Sequence, residues 1–253
     1  MKYLAKIAYI GTDFCGFQVQ PSKRTVMGTL SESLTRLFGV EPKITGCSRT
    51  DSGVHALGFC VSIESDNASV PPDKLPMAAI PFLPDDLSIL EAIEIPPDFH
   101  VRYDVESKTY LYRIYNSRVP HPMEQNRSWF LPYILSDDAF LRMQEGAKAF
   151  VGKHDFSAFM AEGSDVIDTV RTVKALDITK EENVISIRIC ADGFLYNMVR
   201  IIVGTLVEHA LGRRGFDDLS QIISSKKREN AGMTAPASGL YLETVLYKNG
   251  FSF

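Results

Sequence analysis

Asp51 stands in the run Gly46-Cys47-Ser48-Arg49-Thr50-Asp51-Ser52-Gly53-Val54-His55-Ala56-Leu57-Gly58, with a guanidinium two residues before it and an imidazole four residues after. Apolar, β-branched residues flank the run over 40–45 and 59–63. This pattern predicts strand, irregular loop, strand. A carboxylate on such a loop can serve as nucleophile, base or charge stabiliser, because loops on a rigid scaffold can aim polar groups. The glycines admit positive φ and close backbone approach. Two simpler readings compete. Arg49 and Asp51 can form an exposed ion pair worth about 0–1 kcal/mol. Alternatively Cys47, His55 and Cys60 can supply metal ligands, although the four cysteines, at 15, 47, 60 and 190, form no C-x-x-C pair. Free buried thiols are the ordinary state in a reducing compartment.

The second chemical group is Arg200. The apolar segment 195–211 reads as a buried helix, and Arg200 is the only charge within 195–207. An Arg there needs an anion, and a carboxylate matches its fork. Snorkelling to the helix edge is the alternative. Paired with Asp51, it would keep that carboxylate ionised in a poorly solvated place. Tyr110 and Tyr112, two residues apart in a strand-like run, share a face; two core or cross-strand aromatics are the simpler reading, and the preferred one for Tyr112.

The elements that must carry these groups can be read in order. An alternating strand over 2–10 leads into a glycine-bounded loop with two aromatics, Gly11 to Gln18. Leu30, Leu34, Leu37 and Phe38 mark one face of a helix that ends at Gly39. Seven prolines between 71 and 97 break up that stretch, leaving a short helix near 73–80 and a strand near 87–95. A strand over 108–116 opens the second half. It is followed by a helix from Ser136 or Asp137 to Phe150, strands over 169–178 and 184–190, the Arg200 helix, a short helix over 217–225 and a last strand over 239–247. The expected organisation is two βαβ-rich halves, 1–104 and 105–253. The expected fold class is α+β, with a mixed, largely antiparallel sheet, helices on one side and a cleft on the other.

The composition, 45% hydrophobic and 23% charged over 253 residues, is that of a globular chain with a sizeable core. No apolar run reaches the roughly 18 residues of a membrane span. The charged N-terminus does not read as a signal peptide, so the cytoplasm is the expected compartment. The net charge of −4 is uneven: residues 1–104 carry 9 Lys+Arg against 13 Asp+Glu, and residues 105–253 carry 18 of each. Arg213-Arg214 and Lys226-Lys227-Arg228 are the candidate basic patches, with a solvated surface as the alternative.

Six words in order make the chain resemble one known family. Arg49-Thr50-Asp51-x-Gly53-Val54-His55-Ala56 resembles the signature of the tRNA pseudouridine synthase A (TruA-like) family. The other five are Gly11-Thr12 with Phe14 and Gly16-Phe17-Gln18; Phe99-His100-x-Arg102-Tyr103-Asp104 with Lys108-Thr109-Tyr110-x-Tyr112; Gly152-x-His154-Asp155-Phe156; Phe194-Leu195-Tyr196-x-Met198-Val199-Arg200; and Ala235-Pro236-x-x-Gly239-Leu240-Tyr241-Leu242. The family more often has Arg where this chain has Lys108, which leaves the role of Lys108 open.

The resemblance implies the pseudouridine synthase fold and an RNA substrate, with uridines 38, 39 and 40 of the tRNA anticodon stem-loop as targets. It implies no cofactor, no metal and a homodimer. Asp51 becomes the catalytic residue, as nucleophile or ion-pair stabiliser, with Arg200 orienting it. Tyr110 stacks on the base or helps remove its C5 proton. Arg49 fills the gap left by a flipped base or contacts phosphate, and Leu240 is a pocket wall or plain core. His55 reads as a structural hydrogen-bonder, and His154 and Asp155 as loop structure. A metal-dependent hydrolase using Asp51, His55 and Cys47, and a non-catalytic RNA-binding protein, are the rival classes.

Overall fold

The computed structural model describes residues 1–67, 70–163, 166–213, 218–248 and 250–251. The chain forms two compact units: Met1–Glu106 together with Tyr241–Phe253, and Ser107–Leu240.

In the first unit β1 (Lys2–Tyr9) buries Tyr3, Leu4, Ala5, Ile7 and Tyr9, so both faces of its pleat are covered. It leads by way of a 3₁₀ turn, Gly11–Asp13, to α1 (Val26–Phe38). Thr25 caps α1 by accepting from the Gly28 amide (3.3 Å), and Val26, Leu30, Leu34 and Phe38 form its buried stripe. Leu37, expected on that stripe, is half-exposed. Next come β2 (Lys43–Gly46), β3 (His55–Glu64), a proline-bounded helix α2 (Leu75–Ala79) and β4 (Leu87–Glu94). β1 is antiparallel to both β3 and β4, and β2 is antiparallel to β3. The irregular loop is shorter than its spacing predicts. His55 to Gly58 belong to β3, and Ala56 is already in register with Tyr9 of β1.

In the second unit β5 (Val105–Asn116), β9 (Val184–Ala191), β8 (Val170–Glu181) and β7 (Gly152–Asp155) lie side by side and antiparallel; β6 (Trp129–Leu131) runs parallel to β5. α3 (Asp137–Ala147) starts where the acidic residues predict it, with Ser136 Oγ accepting from the Ala139 amide at 3.2 Å. α4 (Met198–Ala210) packs on α3 and is followed by α5 (Ser220–Ser225), which starts after Asp217, a residue outside those described. β10 (Leu240–Tyr247) belongs to the first unit from Tyr241 on, and its Tyr241 and Leu242 pair there in parallel with His55 and Ala56 of β3.

Two expectations change. α4 begins at Met198 rather than at 195, because residues 195–197 form a turn in which the Met198 amide donates to Leu195 O (3.1 Å). Arg200 therefore sits in the first helical turn, where a cation runs against the helix dipole. His154 and Asp155 are strand residues, not loop, because β7 pairs with β8 opposite Arg171 and Val170.

The Asp155 carboxylate accepts from Lys226 Nζ (2.8 Å), Thr169 Oγ1 (2.6 Å) and the Ser157 amide (3.0 Å), tying β7 to the residue after α5. Lys226, the largest contributor, and then Thr169 hold this carboxyl well below the usual carboxylate range. A depressed folded-state value stabilises the fold above the unfolded value of about 3.9 and loses that contribution as pH falls toward the folded one. In urea unfolding, Asp155→Asn should be less stable than the parent at neutral pH. The difference should shrink below about pH 4. A pH-independent difference would assign the effect to packing.

Candidate active site

The loop carrying Asp51, residues 47–54, has no strand partner of its own, and its backbone is fastened piece by piece. The Cys47 amide donates to Cys60 O at 2.9 Å, continuing the β2–β3 register by one residue. Thr50 O accepts from the Phe17 amide (3.1 Å), and Phe14 O accepts from the Gly53 amide (3.3 Å) and from Ser52 Oγ (3.2 Å). The Val54 amide closes the turn onto Asp51 O at 3.2 Å. The buried Thr50 hydroxyl and Tyr9 hydroxyl are 2.8 Å apart. The glycine-bounded loop before α1 thus serves as the mould of the Asp51 loop.

Two of its glycines are forced by contact. A Cβ on Gly11 would stand 1.9 Å from Val54 O, and one on Gly16, whose φ is +82°, would stand 2.7 Å from Thr50 O. Phe17 stacks on Phe59 of β3 with ring centroids 4.4 Å apart. Asp51 itself is half-buried, and Arg49 is exposed beside it.

His55 is buried. Its Nδ1 accepts from the Gly11 amide at 3.0 Å, and its ring stacks on Tyr241 at 4.6 Å. This fits the structural role expected of it. Cys47 and Cys60 are free and buried. Among the described residues no group of three or more His, Cys, Asp or Glu side chains could hold a metal ion.

In the second unit, Tyr110 and Tyr112 lie on one face of β5, in register with Ile189 and Ile187 of β9. Tyr110 is buried and meets Phe194 edge-on, with centroids 5.0 Å apart. Tyr112 is fully buried and donates to Pro236 O at 2.7 Å; burial pushes its hydroxyl pKa far up, while Arg200 acts in the opposite sense. Arg200 donates from Nε to Ala235 O (2.7 Å) and from Nη1 to Asn197 Oδ1 (2.7 Å), and its carbonyl accepts from the Ala235 amide (3.1 Å). Arg200, Tyr112 and residues 235–236 thus form one cluster, and Leu240 follows a few residues on, buried at the start of β10.

Lys108 sits opposite Ala191. His154 Nε2 is 3.1 Å from Val151 O, and both His154 and Asp155 are engaged in holding β7. The basic runs are also committed: Lys226 to Asp155, Lys227 to Glu229 at 3.9 Å, Arg228 to the carbonyls of Ala231 and Gly232, and Arg213 over the Tyr133 ring at 5.1 Å. Arg214 lies outside the described residues. Spacing does not single out Tyr9, Tyr241, Asn197 or Ala235 as contributors, although Ala235 and Tyr241 stand in the Ala235–Leu242 word and Asn197 is the free position in the Phe194–Arg200 word.

The family model described as tRNA pseudouridine synthase matches residues 5–104 and 147–248. The chain is 43% identical over 241 residues to tRNA pseudouridine synthase A of Acetivibrio thermocellus, covering 95% of this chain and 97% of that one. It is 42% identical over 241 residues to the protein of that name from Thermoanaerobacter sp., with the same coverage. It is also 42% identical over 236 residues to that of Halalkalibacterium halodurans, covering 93% of this chain and 88% of that one. The chain belongs to the tRNA pseudouridine synthase A family, a family of isomerases with a mixed α+β fold.

Gly11 gives the test of the moulded loop. Gly11→Ala must push Val54 O, a backbone atom on the Asp51 turn. The variant should lose about 1–3 kcal/mol of stability, as overpacking does. On the reading that Asp51 reacts, it should also lose at least about tenfold in kcat, because displacing a reacting group is costly. Parent-like turnover of a stably folded Gly11→Ala protein would show that the loop's position does not matter.

Proposed function

We propose that this protein isomerises uridine to pseudouridine in tRNA at positions 38, 39 and 40 of the anticodon stem-loop, as a cytoplasmic homodimer needing no cofactor. The observation that carries this reading is Asp51 within Arg49-Thr50-Asp51-x-Gly53-Val54-His55-Ala56, held in a moulded turn before β3, in a chain 43% identical to a tRNA pseudouridine synthase A over nearly its whole length.

The reaction conserves atoms. The bond from ribose C1′ to uracil N1 breaks, the base turns while held, C5 bonds to C1′, the C5 proton leaves and N1 gains one. As in glycoside cleavage, a carboxylate serves the electron-poor C1′. Asp51 is that carboxylate, as nucleophile or as ion-pair stabiliser. Water must be kept from C1′, since its attack would leave an abasic site, so the surroundings must be dry. The apolar residues of α4 and Leu240 suit that need. Arg200 supplies the counter-charge that keeps Asp51 ionised. Tyr110 stacks on the base or helps remove the C5 proton. Arg49, exposed beside Asp51, takes the place of the flipped base or contacts phosphate.

The deciding experiment incubates the protein with an unmodified tRNA carrying uridine at 38–40 and maps pseudouridine. Product should appear at those positions without added cofactor. Asp51→Asn should abolish it while changing tRNA affinity by less than about tenfold, roughly 1.4 kcal/mol. Turnover above a few per cent of the parent would take Asp51 out of the reaction. Tight binding with no product from the parent protein would favour an RNA-binding role. Affinity for tRNA should also fall steeply with salt despite the net charge of −4. A flat salt dependence would mean that no cationic surface receives the phosphates.

A further inference from the structure

Asn197 occupies the N-cap position of α4 but does not do an N-cap's work. Its backbone is left-handed, at φ 59° and ψ 10°, and its side chain makes no capping hydrogen bond. An N-cap side chain ordinarily accepts from an amide of the first helical turn, with its own backbone extended. Here the carboxamide oxygen instead accepts from Nη1 of Arg200 at 2.7 Å, three residues on. A second acceptor, Ala235 O, takes Nε at 2.7 Å, and the Ala235 amide returns a bond to Arg200 O at 3.1 Å. Two acceptors on different nitrogens fix the plane of a guanidinium, whereas one leaves it free to swing. The first turn of a helix is also an unfavourable place for a cation. Two carbonyl dipoles aimed at Arg200 offset part of that cost.

The backbone makes this contact possible. An extended residue at 197 would turn its side chain toward the amides of α4. The left-handed turn, which Asn tolerates better than most residues, sends it to the guanidinium. Backbone conformations of this kind persist where surrounding structure enforces them, and they gather at functional sites.

We infer that Asn197 is the positioning residue for Arg200: its carboxamide, carried on a left-handed turn, sets the guanidinium for its part in the isomerisation. This rests on the proposed role of Arg200 and names a residue that the family signature leaves open.

Two substitutions separate contact from backbone. Asn197→Gly removes the carboxamide and keeps the left-handed turn at no steric cost. Asn197→Ala removes the carboxamide and also strains the turn. With unmodified tRNA transcript as substrate, both variants should lose roughly ten- to hundredfold in kcat, the scale of a hydrogen bond to a charged group, with KM within about twofold. Only the Ala variant should melt earlier. Arg200→Met should be at least as impaired, and adding Asn197→Gly to it should reduce kcat no further. A Gly variant with kcat near the parent's, while Arg200→Met is inactive, would overturn the inference and leave the role of Arg200 standing. Additive losses in the double variant would overturn it as well, by showing that Asn197 acts elsewhere. A fully active Arg200→Met would instead remove the reading on which it rests.

Discussion

A loop without a hydrogen-bonded ladder keeps one shape only if its neighbours supply the partners that a strand would have had. Residues 47–54 meet this condition through the short run after β1. Gly11, Phe14, Gly16 and Phe17 approach so closely that two Cβ atoms have no room, and backbone groups of 14 and 17 bond directly to the Asp51 turn. The rest of the first unit serves this contact. β1 places the run, Tyr9 reaches the Thr50 hydroxyl, and β3 brings His55 under Gly11, where one imidazole nitrogen accepts its amide. Rigid support of this kind is what a reacting carboxylate needs, since small displacements are costly in rate.

The second unit solves an electrostatic problem. Arg200 stands where the helix dipole disfavours a cation, on a helix otherwise lined by buried apolar residues. Its guanidinium is nevertheless held, by neutral oxygens of Asn197 and Ala235. Neutral acceptors orient a guanidinium without cancelling its charge. The fully buried Tyr112, tied to Pro236 O, keeps the 235–236 segment in place beside it.

Part of the positive charge clustered in the sequence has partners within the fold. Lys226, Lys227 and Arg228 form the densest run, yet each has an intramolecular partner, and Lys226 is the largest influence on Asp155. That run serves to close the second unit.

Periodicity and end signals were enough to place most elements. α1 follows from Leu30, Leu34 and Phe38, and α3 from Ser136 and two aspartates. β4, β5, β8 and β9 follow from alternation and β-branched runs, because these signals depend on neighbours three or four residues away at most. The word around Asp51 and the lone charge of Arg200 were equally local, and they pointed to the family to which the chain belongs. What folding alone decided depends on partners distant in sequence. β3 starts at His55 because Tyr9 and Tyr241 pair there. His154 and Asp155 are strand residues because β8 lies alongside them. Arg200 falls in the first turn of α4 because residues 195–197 form a turn in which Asn197 is left-handed. Gly11 is irreplaceable only because Val54, 43 residues later, comes to rest against it. A sequence pattern carries the period of an element and the chemistry of a side chain; it does not carry the identity of the atom that will arrive from elsewhere in the chain.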